Sequence, residues 1–252
     1  MAKNKIILEN FKPLVYAQRE AFNQLRTNLS FCGDDTKVIM FTSCTPNEGK
    51  STVCMELARS LAQSGEKTIF IDADLRKSVI VGRHRLKSDS EVFGLSHYLA
   101  GKKKIEDVIC ETDIPNFDII VAGPVVPNPT ELLGKNYFKK LLDTLRENYD
   151  CVIIDSPPLG WVIDSAVIAP MVDGAVLVIE SNAISYHYLQ DVKKQLEMTG
   201  VRILGTILNK VDVESGGYYN KYGKYGGKYG KYGKYGKYGK YGKYSKYGGY
   251  GE

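Results

Sequence analysis

Residues 37–62 read KVIMFTSCTPNEGKSTVCMELARSLA. The first six are mostly apolar and partly β-branched, which suits a strand buried on both faces. Val53, Leu57 and Leu61 then recur at helical spacing. Between strand and helix lies Cys44-Thr-Pro-Asn-Glu-Gly-Lys-Ser51. It matches the phosphate-binding pattern GxxxxGK(S/T) at Gly49, Lys50 and Ser51, with Cys44 where the first glycine would stand. Backbone N–H groups at a helix N-terminus face anions, and the positive end of the helix dipole assists them. Thr45, Pro46, Asn47, Glu48, Gly49, Lys50, Ser51 and Thr52 are therefore the candidate cradle for ATP. Lys50 is expected to be a surface phosphate ligand, and Ser51 offers a hydroxyl to Mg²⁺.

The same alternation continues outward. Apolar runs at 68–72, 151–155, 174–179 and 203–208 read as further buried strands, and a weaker one occupies 117–121. Helical spacing marks 52–62, 137–145 and 186–198, and an amphipathic helix over 18–31 precedes the first strand. Strand and helix in repeated alternation predict an α/β fold, a doubly wound parallel sheet of the P-loop NTPase type. Such sheets bind ligands beyond the carboxyl ends of their strands. Thr42 and Ser43, Asp72, Asp155 and Asn209 all stand there.

Two strand ends supply carboxylates. Asp72 and Asp74 follow one strand in IDADLRKS, and Asp155 closes VIID. Mg²⁺ is commonly held by one or two carboxylates and the substrate's phosphates. Ser51, Asp74 and Asp155 are the candidate metal ligands, which leaves Asp72 as a base and, with Lys50, the candidate catalytic pair. Asn209-Lys-Val-Asp212 matches the guanine-reading NKxD element, but Asp155 is followed by Ser-Pro-Pro and the GTPase DxxG is missing. The Asn209 amide equally suits adenine.

Composition divides the chain at residue 216. Residues 216–252 hold nine Lys and one Glu, hence +8 of the net +5, so the remainder is slightly acidic at −3. An acidic body does not point to nucleic acid. Five scattered cysteines without CxxC spacing suit neither disulfides nor zinc and fit a reducing cytosol. No apolar run reaches signal-peptide or membrane-span length. The expected domains are 1–215, holding the nucleotide site, and 216–252, a Tyr-Gly-Lys repeat with no Leu, Ile or Val, for which disorder is the expectation.

TSCTPNEGKST, IDADLRKS, AGPVVPNPTELL at 122–133, VIIDSPPLG and the terminal tyrosines together resemble the bacterial tyrosine kinases. The likeness is to the type without its own membrane-spanning half, found in capsule and exopolysaccharide operons of Gram-positive bacteria. It runs from about Glu20 to the C-terminus. It implies an ATP- and Mg²⁺-dependent protein-tyrosine kinase in which Lys50 and Ser51 bind phosphate and metal, Asp72 deprotonates tyrosine, and Asp74 and Asp155 hold the ion. It also implies a membrane-spanning activator of the polysaccharide co-polymerase type that recruits a cytoplasmic kinase to the inner face of the membrane, and an opposing phosphatase. The family's oligomer motif ExxRxxR reads Glu20…Asn23…Arg26, so Glu20 and Arg26 remain as candidates for a homo-oligomer, in the family a ring. Asn47 replaces a usual Gly, and Ser78 a common Pro with little expected effect. With Cys44 and Asn47 both in place of glycine, the phosphate cradle is expected to be only fractionally formed without the activator. The competing reading is a P-loop ATPase switch of the partitioning or positioning type, its basic tail a binding arm.

On the kinase reading Tyr218, Tyr219, Tyr222, Tyr225, Tyr229, Tyr232, Tyr235, Tyr238, Tyr241, Tyr244, Tyr247 and Tyr250 are the autophosphorylation cluster. A Gly-rich coil of about 36 residues spans roughly 33 Å, enough to reach a neighbouring subunit. At about −1.5 to −2 charges per phosphotyrosine, roughly five modifications would cancel the tail's positive charge. Deleting 216–252 is expected to leave the thermal midpoint unchanged within about 2 °C, because the segment brings no core-forming side chain. A calorimetric scan of the truncated chain checks this, and a fall of several degrees would make the segment structural.

Overall fold

The computed structural model describes residues 4–9, 13–84, 86–88 and 90–211. The expected division at residue 216, the twelve tail tyrosines and Asp212 lie outside the described residues. The strands are β1 (Asn4–Leu8), β2 (Val38–Ser43), β3 (Thr68–Asp72), β4 (Leu86–Lys87), β5 (Cys110–Thr112), β6 (Phe117–Ile120), β7 (Cys151–Asp155), β8 (Gly174–Glu180) and β9 (Ile203–Asn209). The helices are α1 (Tyr16–Ser30), α2 (Lys50–Gln63), α3 (Ile80–His84), α4 (Leu95–Leu99), α5 (Ile105–Val108), α6 (Pro129–Leu133), α7 (Asn136–Asn148), α8 (Asp164–Ile168) and α9 (Tyr186–Glu197).

One sheet runs in the order β4-β1-β5-β6-β3-β7-β2-β8-β9. From β6 to β9 every pairing is parallel. The expected doubly wound parallel sheet is found there, and at the other end β5 joins β6 and β4 joins β1 antiparallel. β1, β4 and β5 are short and mixed in polarity, so no strand was legible there.

Period-two alternation explains the double winding. Val38 and Met40, with Ile69, Ile71, Val152 and Ile154, face one core together with Phe138, Leu141, Ile168 and Val192 from the helices on that side. Ile39 and Phe41, with Phe70, Ile153, Val176 and Val178, face the other, against Val53, Leu57 and Leu61 of α2. A strand covered on both faces cannot alternate polar with apolar, which is why these runs read as continuous hydrophobic stretches. Phe22, Leu25 and Leu29 of α1 also pack against this second core, so the helix's apolar spacing is a packing face. Among the described residues no helix is long and apolar enough to cross a membrane.

Candidate active site

The loop between β2 and α2 is held from several directions. Asn47 and Gly49 take positive φ, 68° and 88°. Asn is among the few residues besides glycine that enter this region readily, so it serves where the family has Gly. Cys44 is fully buried and is not in the left-handed region, so its position makes no demand for glycine. Its carbonyl accepts from the Tyr188 hydroxyl at 3.4 Å. Inside the loop the Glu48 carboxylate accepts from the Thr45 N–H at 2.8 Å and the Ser43 hydroxyl donates to the Thr45 carbonyl at 2.9 Å. The Asn209 amide donates to the Glu48 carbonyl at 2.9 Å, and Lys210 donates to the Asn47 carbonyl at 2.7 Å. With these contacts the loop is braced, and the departures from glycine at Cys44 and Asn47 are accommodated in it. Asn209 stands against the loop, and a Cβ on Gly49 would lie 2.1 Å from its amide nitrogen. Pro46, Asn47 and Thr52 are exposed, and Thr45 and Ser51 half-buried, at the mouth.

The parallel register of β3 and β7 sets Asp72 directly beside Asp155. Neighbouring strands lie only about 4.8 Å apart, so the two carboxylates share one desolvated space. The Lys50 ammonium reaches into it and pairs with Asp155, and it is 3.4 Å from the Ser51 hydroxyl. Lys50 is 6 % exposed, which corrects the expectation of a surface ligand. Burial, the strongest single influence, favours losing its proton, but the charge and hydrogen bond of Asp155, with Cys54 and Asp74, together outweigh it and hold the pKa raised. Asp72 is pushed up to about 7, by burial first and by the Asp155 charge second, while the Ser78 hydrogen bond and Lys50 oppose the rise. Asp74 is half-buried and turned outward, its Oδ1 accepting from the N–H groups of Arg76 at 3.2 Å and Lys77 at 2.9 Å.

Ser78 is a site residue that the sequence did not reveal. Its hydroxyl donates to Asp72 Oδ2 at 2.5 Å, a contact that a proline could not make. The signal was its place in IDADLRKS, with nothing to show that the turn after β3 folds back on its own aspartate. A second group was equally hidden. Arg76 clasps both oxygens of the fully buried Asp164, at 2.7 and 2.9 Å, and the Thr130 hydroxyl donates to the same carboxylate at 2.5 Å. This joins IDADLRKS, the TELL of α6 and the segment after VIIDSPPLG into one framework around the strand ends. In α1 Asn23 bridges the two oligomer candidates, donating to Glu20 at 3.1 Å and accepting from Arg26 at 3.1 Å. Arg26 also donates to the Ser60 carbonyl on α2 at 2.9 Å.

The site suits a magnesium nucleotide. Its candidate metal groups are a hydroxyl and two carboxylates, hard oxygen donors. Among the described residues no group of three or more His, Cys, Asp or Glu could hold a metal unaided. That is the arrangement expected where substrate phosphates complete the shell.

Comparison with known proteins bears on the family and the fold. The AAA domain family matches residues 36–204. Tyrosine-protein kinase CpsD of Streptococcus agalactiae is 45% identical over 199 residues, 79% of this chain and 86% of that protein. The kinase domain of Escherichia coli tyrosine kinase ETK superposes with a TM-score of 0.74 at 38% identity, covering 79% of this chain and 77% of that one. A more distant neighbour is the septum site-determining protein MinD of Pyrococcus horikoshii, complexed with Mg-ADP. Its TM-score is 0.57 at 26% identity, covering 68% of this chain and 69% of that one.

A carboxyl at about 7 when folded and 3.8 when unfolded binds its proton more tightly in the native state. The stability this provides is complete below the unfolded value and is lost as pH rises through about 7. With metal chelated, Asp72→Asn should therefore raise the melting temperature at pH 8 by about 3–8 °C. The gain should shrink steadily as pH falls from 7 towards 5. A gain independent of pH, or a loss at pH 8, would show that Asp72 carries its charge at no cost.

Proposed function

The chain belongs to the bacterial protein-tyrosine kinases, and on that premise we propose how its own residues carry the transfer of a phosphoryl group from ATP to tyrosine. The observation that carries the reading is the placement of Asp72, at the end of β3 next to the Asp155–Lys50 pair and one strand further from the phosphate loop. Its proton affinity is matched to neutral pH, as a general base requires. Lys50 turns from Asp155 to the phosphates, and the backbone amides of the loop, aligned by Gly49 and Asn47, hold the β-phosphate at the α2 N-terminus. Ser51, Asp74 and Asp155 would hold Mg²⁺, which when bound neutralises charge on the β- and γ-phosphate oxygens. Asp72 receives the phenolic proton. Asn209 keeps the loop in shape and stands close enough to it to border the nucleotide.

The physiological setting is capsule or exopolysaccharide synthesis. The acceptors include the twelve tail tyrosines, reached in trans, and each modification removes positive charge from the segment. A membrane-spanning activator of the co-polymerase type brings the cytoplasmic chain to the membrane, and a phosphatase resets it. Glu20 and Arg26 are the candidates for a homo-oligomeric contact. Their coupling through Asn23 and the tie of Arg26 to α2 make that contact weaker than one built from free side chains.

Intact-mass measurement after incubation with Mg-ATP should show successive phosphate additions. Release of ADP with no mass gain would favour a nucleotide switch instead. Asp72→Asn should lower transfer about 10²–10⁴-fold with nucleotide affinity nearly kept. Asp74→Asn and Asp155→Asn should weaken Mg-ATP binding as well. Equal binding and turnover defects in all three would refute the division of roles. Lys50→Met should abolish transfer, and in a mixture with tail-less active chain its tail should still gain phosphate if transfer is in trans.

A further inference from the structure

The turn after β3 sets a carboxylate and a cation two residues apart, Asp74 and Arg76. Opposite charges so placed attract one another, and Asp74 Oδ1 already lies 3.2 Å from the backbone nitrogen of Arg76. Among the described residues, however, the Arg76 guanidinium pairs with Asp164 and not with Asp74. Its Nε donates to Asp164 Oδ2 at 2.7 Å and its Nη2 to Asp164 Oδ1 at 2.9 Å. Nη2 also donates to the Thr130 hydroxyl oxygen at 3.0 Å, and that hydroxyl donates to Asp164 Oδ1 at 2.5 Å. Three segments thus converge on one guanidinium.

The clasp is built rather than incidental. Asp164 is fully buried at the start of α8, and the next residue, Ser165, is hydrogen-bonded to Thr42 of β2 and to Ser156 just past β7. Asp164 is therefore fixed relative to the strand ends, and the guanidinium comes to it, the Arg76 side chain staying 40 % exposed. A buried carboxylate without a partner is costly, so it outbids the half-buried and better hydrated Asp74 for the fork. The hydrogen bonds of Asp164 are the first cause of the raised Arg76 pKa and the charge of Asp74 is a lesser one, so both carboxylates lie within electrostatic reach of the one cation. Asp74 is left with a free oxygen. Its hydrogen bonds, from the N–H groups of Arg76 and Lys77, both fall on Oδ1, and among the described residues Oδ2 receives none.

We infer that Asp164 and Thr130 are positioning residues for the divalent cation: they hold the Arg76 guanidinium away from Asp74, which leaves Asp74 Oδ2 open to Mg²⁺. The inference rests on the assignment of Asp74 to the metal in the reading above. It gives Thr130 and Asp164, neither of which is placed at the nucleotide, a part in the reaction. A released guanidinium would compete with the cation for the same carboxylate, and its own charge would repel the cation. The loss would fall on the metal and spare the phosphate loop, which Tyr188, Asn209 and Lys210 brace separately.

The test uses the full chain and a fluorescent N-methylanthraniloyl-ADP, titrated with MgCl₂. Asp164→Asn keeps the shape of the side chain and loosens its hold on Arg76, so it should raise the Mg²⁺ concentration at half-maximal binding about five- to tenfold. Affinity for the labelled ADP in EDTA should stay within about twofold. The emission maximum of Trp161, the chain's only tryptophan and close in sequence to Asp164, should not move in the metal-free protein. Thr130→Val should shift the Mg²⁺ midpoint the same way by about threefold, and Thr130→Ser, which keeps the hydroxyl, should restore it. Adding Arg76→Gln to Asp164→Asn should bring the midpoint back to within about twofold of wild type, because no guanidinium is left to compete. A clasp with a structural role alone gives the reverse, a double variant at least as impaired as the single one. That result, or an unchanged midpoint in Asp164→Asn and Thr130→Val, overturns the inference. Should Asp164→Asn fail to fold, Thr130→Val and Thr130→Ser decide between the same outcomes. An unchanged midpoint in Asp74→Asn would remove the metal assignment, and this inference with it. Failure of wild type to phosphorylate tyrosine, with every midpoint as expected, would overturn the kinase reading and leave the clasp standing.

Discussion

Two carboxylates and one ammonium are buried together where β2, β7 and β3 end. Asp72 and Asp155 are register partners, so neither can withdraw from the other without breaking the sheet. Lys50 supplies one positive charge, and Asp155 takes it. The second carboxylate is left to keep its proton near neutral pH, because burial and its neighbour both oppose ionisation. On the proposed reading, a bound divalent cation and nucleotide phosphates would give Asp155 and Lys50 other partners and so change this balance. The chemistry of the site is thus set by a shortage of positive charge in a dry space.

That arrangement needs a loop that holds still without the usual glycines. Glu48 turns inward to cap Thr45, and Asn209 and Lys210 grip the loop carbonyls from the end of β9. Asn47 adopts the left-handed backbone itself. Tyr188 reaches from α9 to the carbonyls of Cys44 and Gly160, tying the start of the loop to the segment after β7. Because these braces come from three separate parts of the chain, the loop itself, the end of β9 and α9, the cradle's shape depends on how the parallel half of the sheet brings them together.

A comparable tie fixes the opposite side. Asp164 is fully buried, and its carboxylate oxygens are held by the bidentate Arg76 and the Thr130 hydroxyl. The turn that carries Asp74 and Ser78 is thereby anchored to two other segments. Ser78 can then present its hydroxyl to Asp72 in a fixed direction.

Continuous apolar runs at β2, β3, β7 and β8 declared strands buried on both faces, and the strand–loop–helix around Lys50 declared a phosphate site. Asp72, Asp74 and Asp155 were legible as strand-end acids because their positions follow from local pattern alone. The short strands β1, β4 and β5 were not, since two to five residues of mixed polarity carry no period. Nor could pattern show that Lys50 is buried against Asp155, that Asn23 joins Glu20 to Arg26, or that Ser78 covers Asp72. Sequence by itself determined which residue types stand at the ends of buried strands, because burial dictates the hydrophobic period. Only the tertiary structure decided which of them meet, because hydrogen bonds and ion pairs depend on strand order, register and the return of turns, and these are properties of the folded sheet.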